Sequence, residues 1–185
     1  VLTAGGVLGA GVETGIALGI LLSLLSILWR ASRPHIAIIG RVPGTEQFRN
    51  VNRVAVATLP RLLAMRVDEN LFFGNVPAVE AELQRALLVQ PATRDVLLVM
   101  SSVSSIDMTA LDRLIELNQT LAARGIRLHF ADIKGPVLDR LRHTELLEAL
   151  SGQVFRFTHE AFNALDDTAP EDAERPLRVA TPSPA

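Results

Sequence analysis

Residues 96–130, VLLVMSSVSSIDMTALDRLIELNQTLAARGIRLHF, hold a strand, a loop, a helix and a second strand in succession. Val96 to Met100 is unbroken and apolar, as a strand covered on both faces would be. From Thr109 to Arg124 the period changes. Leu111, Leu114, Ile115, Leu117 and Leu121 fall on one helical face, and Gly125 supplies the C-terminal stop. Ile126 to Phe130 reads as the next buried strand. A helix between two strands of one sheet imposes parallel pairing with a right-handed crossover.

Working outward from this unit, Asn75 can cap a preceding helix in which Pro77 needs no donor and Val79, Leu83, Ala86 and Leu87 form the apolar stripe. Pro91 ends it. Leu62 to Val67 and Leu71 to Phe73 are two short apolar runs separated by Asp68-Glu69-Asn70, which predicts a hairpin. His35 to Val42 reads as a strand closed by the turn Pro43-Gly44-Thr45. On the C-terminal side, Gly135-Pro136 opens a helix running through Leu150, and Val154 to Phe157 is a last short strand. Thr158 can cap a terminal helix carrying Ala161, Phe162 and Leu165. The alternation predicts an α/β sandwich with a mostly parallel central sheet and helices mainly on one side. Residues 166–185 change to Pro, Ala and acid without apolar period, which predicts a disordered tail.

The 185 residues carry a formal net charge of −2 and 49% hydrophobic side chains, unevenly spread. With a pI near 6.1 there is no basic field for a phosphate backbone, so no nucleic-acid partner is expected. Cysteine is absent, which excludes disulfides, thiolate catalysis and cysteine zinc sites. From Val1 to Trp29 the only ionisable side chain is Glu13, and the sixteen residues Thr14 to Trp29 are uncharged. At about 1.5 Å per residue such a helix nearly crosses a hydrocarbon core of roughly 30 Å. A signal peptide is the competing reading, but no basic region precedes the run and no small-residue cleavage site comes after it. Trp29 suits an interface, and Arg30, Arg33 and Arg41 place the rest of the chain in the cytoplasm by the positive-inside rule. Gly11, Gly15, Gly19 and Ser23 recur every four residues, a small-residue face that lets another helix approach closely. Glu13 is either an intramembrane functional acid or a residue reaching the headgroups. Because the chain begins with Val, further sequence is expected ahead of it.

Two stretches carry a family resemblance. Glu13-Thr14-Gly15-Ile16 through the apolar run to Ser32-Arg33-Pro34-His35-Ile36-Ala37, then Gly40-Arg41-Val42-Pro43-Gly44-Thr45 and Phe48-Arg49-Asn50, is similar to the junction of bacterial sulfate-permease (SulP) transporters. There the last transmembrane helix meets a STAS domain. Val103-Ser104-Ser105-Ile106-Asp107-Met108-Thr109-Ala110-Leu111 resembles the STAS signature, an Asp-x-Ser/Thr-Gly/Ala-Leu loop that opens a helix, and Leu71-Phe72-Phe73-Gly74-Asn75 also resembles the family. The resemblance implies a terminal transmembrane region at 1–30, a cytoplasmic STAS domain at 31–165 and the tail at 166–185. It also implies a secondary transporter of inorganic anions or small organic acids such as sulfate, bicarbonate or a dicarboxylate, sited in the cytoplasmic membrane. Its partners would be upstream transmembrane helices of the same transporter, the lipid membrane, a second copy in a homodimer and a cytoplasmic regulatory protein. In soluble STAS antagonists a signature-loop Ser is phosphorylated; Thr109 stands there, with Ala110 in place of Gly. The alternative for Asp107 and Thr109 is helix capping.

Enzyme chemistry finds no foothold. His35, His129, His143 and His159 are scattered, which argues against a metal site, and neither a Walker loop, a Gly-x-Gly-x-x-Gly turn nor a Gly-x-Ser-x-Gly elbow is present, so no cofactor is expected. Two other readings stand beside the transporter: a free-standing STAS switch of the anti-sigma antagonist kind, and a membrane-anchored module binding a nucleotide or other anion at the start of the Thr109 helix.

Overall fold

The computed structural model describes residues 12–166; Gly11, the other residues before Val12 and the segment 167–185 lie outside the described residues. The chain divides after Pro34 into two units. In the first, α1 spans Val12–Ala31 and is long and apolar enough to cross a membrane. Its apolar side chains are exposed on opposite faces: Ile16, Ile20 and Ile27 on one and Leu21 and Leu25 on the other are each more than half exposed. An all-round apolar helix is the pattern of a span rather than of an amphipathic surface helix. Arg33 folds back on its end, the guanidinium lying 4.5 Å from the Trp29 ring centre.

The second unit is a six-stranded sheet in the order β2-β1-β3-β4-β5-β6, where β1 is Ile36–Arg41, β2 Phe48–Asn50, β3 Leu62–Val67, β4 Asp95–Val99, β5 Arg127–Ala131 and β6 Val154–Phe155. The strands β3 to β6 run parallel; β1 is antiparallel to both β2 and β3. Among the described residues four helices cover it: α2 (Val76–Val89), α3 (Met108–Ala123), α4 (Gly135–Arg142) and α5 (Thr158–Ala164). The two-residue alternation of the strands decides which side chains each layer receives. Leu63, Met65, Val96, Leu98, Leu128 and Phe130 meet α2, α3 and α4 in the larger core. Leu62, Ala64, Leu97, Val99 and Ala131 face the other way and are covered by Ala161 and Phe162 of α5. Helices thus lie mainly on one side, three against one.

Several local expectations are corrected. No hairpin forms at 62–73: β3 takes β1 as its antiparallel partner, and Leu71 makes only an isolated parallel bridge to Ile106. Asn75 occupies the N-cap position of α2 without capping it, because its side chain is already engaged with Asn70 and Phe72. The helix from Gly135 ends at Arg142 instead of Leu150; His143 and Thr144 turn the chain with bonds to Arg140 and Leu141. Thr158 is the first residue of α5, not its cap, and its hydroxyl donates to Asp132 at 2.6 Å.

Candidate functional site

The loop between β4 and α3 leaves the C-terminal end of β4, where α/β sheets present functional groups. Its backbone is held from one side by the segment 70–75. The Asn70 Oδ1 accepts from the amides of Ser104 (2.8 Å) and Ser105 (3.0 Å), and the backbones of Leu71 and Ser105 and of Asp107 and Leu71 are joined. The buried Asn75 in turn donates to the Asn70 carbonyl at 2.7 Å and accepts from Phe72 N–H at 3.0 Å. Two cations reach in from α4 and its N-cap: Lys134 donates to the Ser104 hydroxyl at 2.8 Å and Arg140 to the Ile106 carbonyl at 2.6 Å.

Asp107 is the hinge of this arrangement. One carboxylate oxygen accepts from Ala110 N–H at 2.7 Å, capping α3, while the other accepts from Phe73 N–H at 2.9 Å. Cap and loop staple are therefore one side chain. Thr109 lies in the first turn of α3, exposed, and among the described residues its hydroxyl makes no hydrogen bond. The capping role expected of the pair belongs to Asp107 alone. Met108, the residue before Thr109, is 62% exposed, and Phe73, whose N–H bonds Asp107, is 60% exposed, so the loop carries two uncovered apolar side chains. Of the residues singled out in the apolar segment, Glu13 is in the first turn of α1, Gly15 is buried, Gly19 half-buried and Ser23 exposed, while Gly11 lies outside the described residues.

A second polar cluster escaped the sequence reading. Asp95, at the start of β4, is buried and accepts from both Arg127 (2.7 and 3.1 Å) and the His129 ring (2.9 Å). Gln153 N–H donates to His129 Nδ1 at 3.0 Å, so that nitrogen is the bare one and Nε2 carries the proton toward Asp95. Burial pushes the His129 pKa down from its ordinary value, and Asp95 opposes that only in part. The signal was present, since an acid and a histidine interrupt two otherwise apolar strands, but only pairing in register brings them together. Near the signature loop, burial works to raise the Asp68 carboxyl, yet hydrogen bonds from Arg66 (2.6 Å) and His35 (2.7 Å) outweigh it and hold the group below its usual value. Glu80 of α2 is pushed up by burial despite Arg113 at 3.2 Å. Among the described residues no group of three or more metal-ligating side chains converges.

The STAS domain model matches residues 53–161, more than half of the chain. The chain belongs to the STAS domain family. It is 30% identical to sulfate transporter 1.3 of Arabidopsis thaliana over 170 residues, 86% of this chain and 26% of the transporter. It is likewise 30% identical to high affinity sulfate transporter 2 of Stylosanthes hamata over 158 residues, 80% of this chain and 24% of that one. The chain thus spans about a quarter of the length of the curated relatives it matches. Among solved structures, the murine solute carrier 26 family member A9 anion transporter in its inward-facing state superposes with a TM-score of 0.73 at 20% identity, covering 88% of this chain and 27% of that one. A candidate anti-sigma factor antagonist from Thermotoga maritima superposes at 0.50 and 16% identity, over 62% of this chain and 97% of its own. At these identities the superpositions establish the STAS fold.

Proposed function

We propose that this chain is the terminal helix and cytoplasmic STAS domain of a SulP-type secondary transporter for sulfate, bicarbonate or a dicarboxylate. The extent of the match carries this reading. A similarity covering 86% of 185 residues is longer than the unit His35–Ala185, so it takes in part of the segment that holds α1. A free-standing switch protein would resemble the STAS unit alone, as the antagonist from Thermotoga does. In this reading α1 packs through Gly15, Gly19 and Ser23 against other helices of the transporter, the STAS domain contributes to a homodimer contact, and Glu13 lies near the outer end of its span.

The signature loop then serves regulation. Thr109 is an accessible hydroxyl on a braced backbone, in a loop that also exposes Met108 and Phe73 for a cytoplasmic protein to grip. Phosphorylation there adds about −1.5 to −2 charges beside Asp107, so it alters partner contacts more than the helix it opens. The natural full-length protein, reconstituted in liposomes, should take up at least one of labelled sulfate, bicarbonate or succinate. Failure with every anion, at both orientations of the gradient, would sink the transporter reading. Normal uptake and partner binding by both Thr109→Ala and Thr109→Glu would sink the regulatory one.

A further inference from the structure

The edge strand β6 is attached to the sheet through a side chain that can titrate. It pairs with β5 at two positions, Phe130 with Val154 and Ala131 with Phe155. The segment just before it, 151–153, lies flat against β5. Leu128 N–H donates to Ser151 Oγ at 2.9 Å, Phe130 N–H donates to the Gln153 carbonyl at 3.0 Å, and a Cβ on Gly152 would stand 2.2 Å from the Leu128 carbonyl oxygen. Ser151 is itself fixed by the buried Asn118 of α3, whose Oδ1 accepts from its amide at 3.0 Å and its hydroxyl at 2.7 Å. The amide of Gln153, by contrast, is held by a ring, donating to His129 Nδ1 at 3.0 Å. A backbone amide can only donate, so this contact exists only while Nδ1 keeps its lone pair.

His129 is 1% exposed, in register with Leu97 of β4, and its ring centre lies 5.8 Å from that of Phe155 on β6. The charges acting on it are Asp95 from β4, 2.9 Å from Nε2, and Arg127 from its own strand. Titratable groups on the neighbouring elements are turned elsewhere. Arg156, after β6, lies over the Phe157 ring at 5.3 Å; on α5, His159 stacks on that same ring and Glu160 accepts from Phe157 N–H. Asp132 accepts from the Thr158 hydroxyl, and Asp166, beyond α5, is exposed. Since Nε2 already carries the proton directed at Asp95, a second proton has one place to go, Nδ1, where it sets an N–H against the N–H of Gln153. Burial holds the enclosed ring neutral, whereas a ring released into water titrates near 6.5.

We propose that β6 is an acid-released latch: protonation of His129 at Nδ1 breaks its bond to Gln153, frees β6 from β5 and bares that edge of the sheet while the core under α3 stays closed. The enclosed ring resists the proton and the released ring accepts it, so opening takes up a proton, and its equilibrium constant rises by up to about tenfold for each pH unit below about 6.5. Amide hydrogen exchange of the full chain in zwitterionic nanodiscs, read by mass spectrometry and corrected for the intrinsic rate at each pH, compares 150–157 with α3 between about pH 7.5 and 5.5. Exchange at 153–157 should accelerate by that factor while α3 does not change. The effect should persist in His35→Asn/His143→Asn/His159→Asn, which leaves His129 as the last of the four imidazoles, and vanish in His129→Gln. Equal acceleration in both segments, acceleration that survives His129→Gln, or none in the natural chain overturns the latch. Should His129→Gln fail to fold, the nitrogen-15 ring spectrum of the triple variant decides. Nδ1 must be bare at pH 7.5 and gain its proton over the interval in which exchange rises; a proton already on Nδ1 at pH 7.5, or a titration that leaves exchange unchanged, overturns the proposal.

Discussion

Asp107 satisfies the amides of Ala110 and Phe73 with one carboxylate, so removing it leaves two donors to fend for themselves. Asp107→Ala is expected to destabilise the STAS unit by about 1–2 kcal/mol, at the upper part of the range for lost N-caps, while Thr109→Ala stays within about 0.5 kcal/mol because that hydroxyl holds nothing. Urea unfolding of residues 35–166 compares them; equal effects would remove Asp107 from its place as the hinge. His129 gives a pH prediction. Its folded pKa is depressed, so below its unfolded value of about 6.5 the unfolded chain binds a proton that the folded chain still refuses. Stability should therefore be flat above about pH 7 on this account and fall as pH drops below 6.5, with the slope reduced in His129→Gln. Unfolding midpoints between pH 7.5 and 5 measure it, and an unchanged slope in the variant would disprove the assignment. Asp68 enters only lower, its contribution being lost as pH falls below 3.8.

At the scale of elements, two glycines hold opposite kinds of constraint. Gly125 ends α3 at φ +73°, and the amide of Ile126 returns to the Leu121 carbonyl at 3.0 Å, the closing pattern of a left-handed helix cap. Nothing crowds it, so Gly125→Ala costs only the backbone preference, about 1 kcal/mol. Gly152 is the reverse: a Cβ there would stand 2.2 Å from the Leu128 carbonyl oxygen and 2.7 Å from His129 Nδ1. Gly152→Ala must push β6 off β5 and is expected to cost more than Gly125→Ala, roughly 1–3 kcal/mol by analogy with overpacked cores. Thermal unfolding ranks the pair. The same contrast explains what can be read from sequence. Gly125 is legible because a helix period stops just before it, whereas the role of Gly152 exists only once β5 and β6 are side by side. Local pattern likewise finds Val96–Met100 and the α3 stripe, yet misreads Asp68-Glu69-Asn70 as a hairpin turn, because the Asn70 side chain braces a loop more than thirty residues away and Asn75 holds Asn70 and Phe72 in place. Thr158 fails for a related reason: a good capping residue is claimed by Asp132 from another element.

For the whole molecule, the division after Pro34 separates two ways of burying apolar surface. The unit from His35 keeps its own core on both faces of the sheet, with Leu63, Met65, Leu98 and Phe130 at most 2% exposed on one side and Ala37, Ile39, Leu97 and Ala131 equally covered on the other. α1 does the opposite and leaves Ile16, Ile20, Leu24 and Ile27 outward. Each apolar side chain of that size costs about 1.5–3 kcal/mol when left in water rather than buried, so α1 needs lipid or neighbouring helices and the rest of the chain needs neither. Residues 35–166 should therefore be soluble alone and unfold in one cooperative transition, with circular dichroism and fluorescence-independent probes such as amide exchange giving the same midpoint. The full chain should resist carbonate extraction from membranes, with a reporter fused after Ala185 on the cytoplasmic side of Arg30 and Arg33. The two results test different links. A soluble unit that lacks a cooperative transition would mean that the sheet depends on contacts from outside it. Clean release of the intact chain by carbonate would mean that α1 finds its apolar partners in protein without crossing the bilayer.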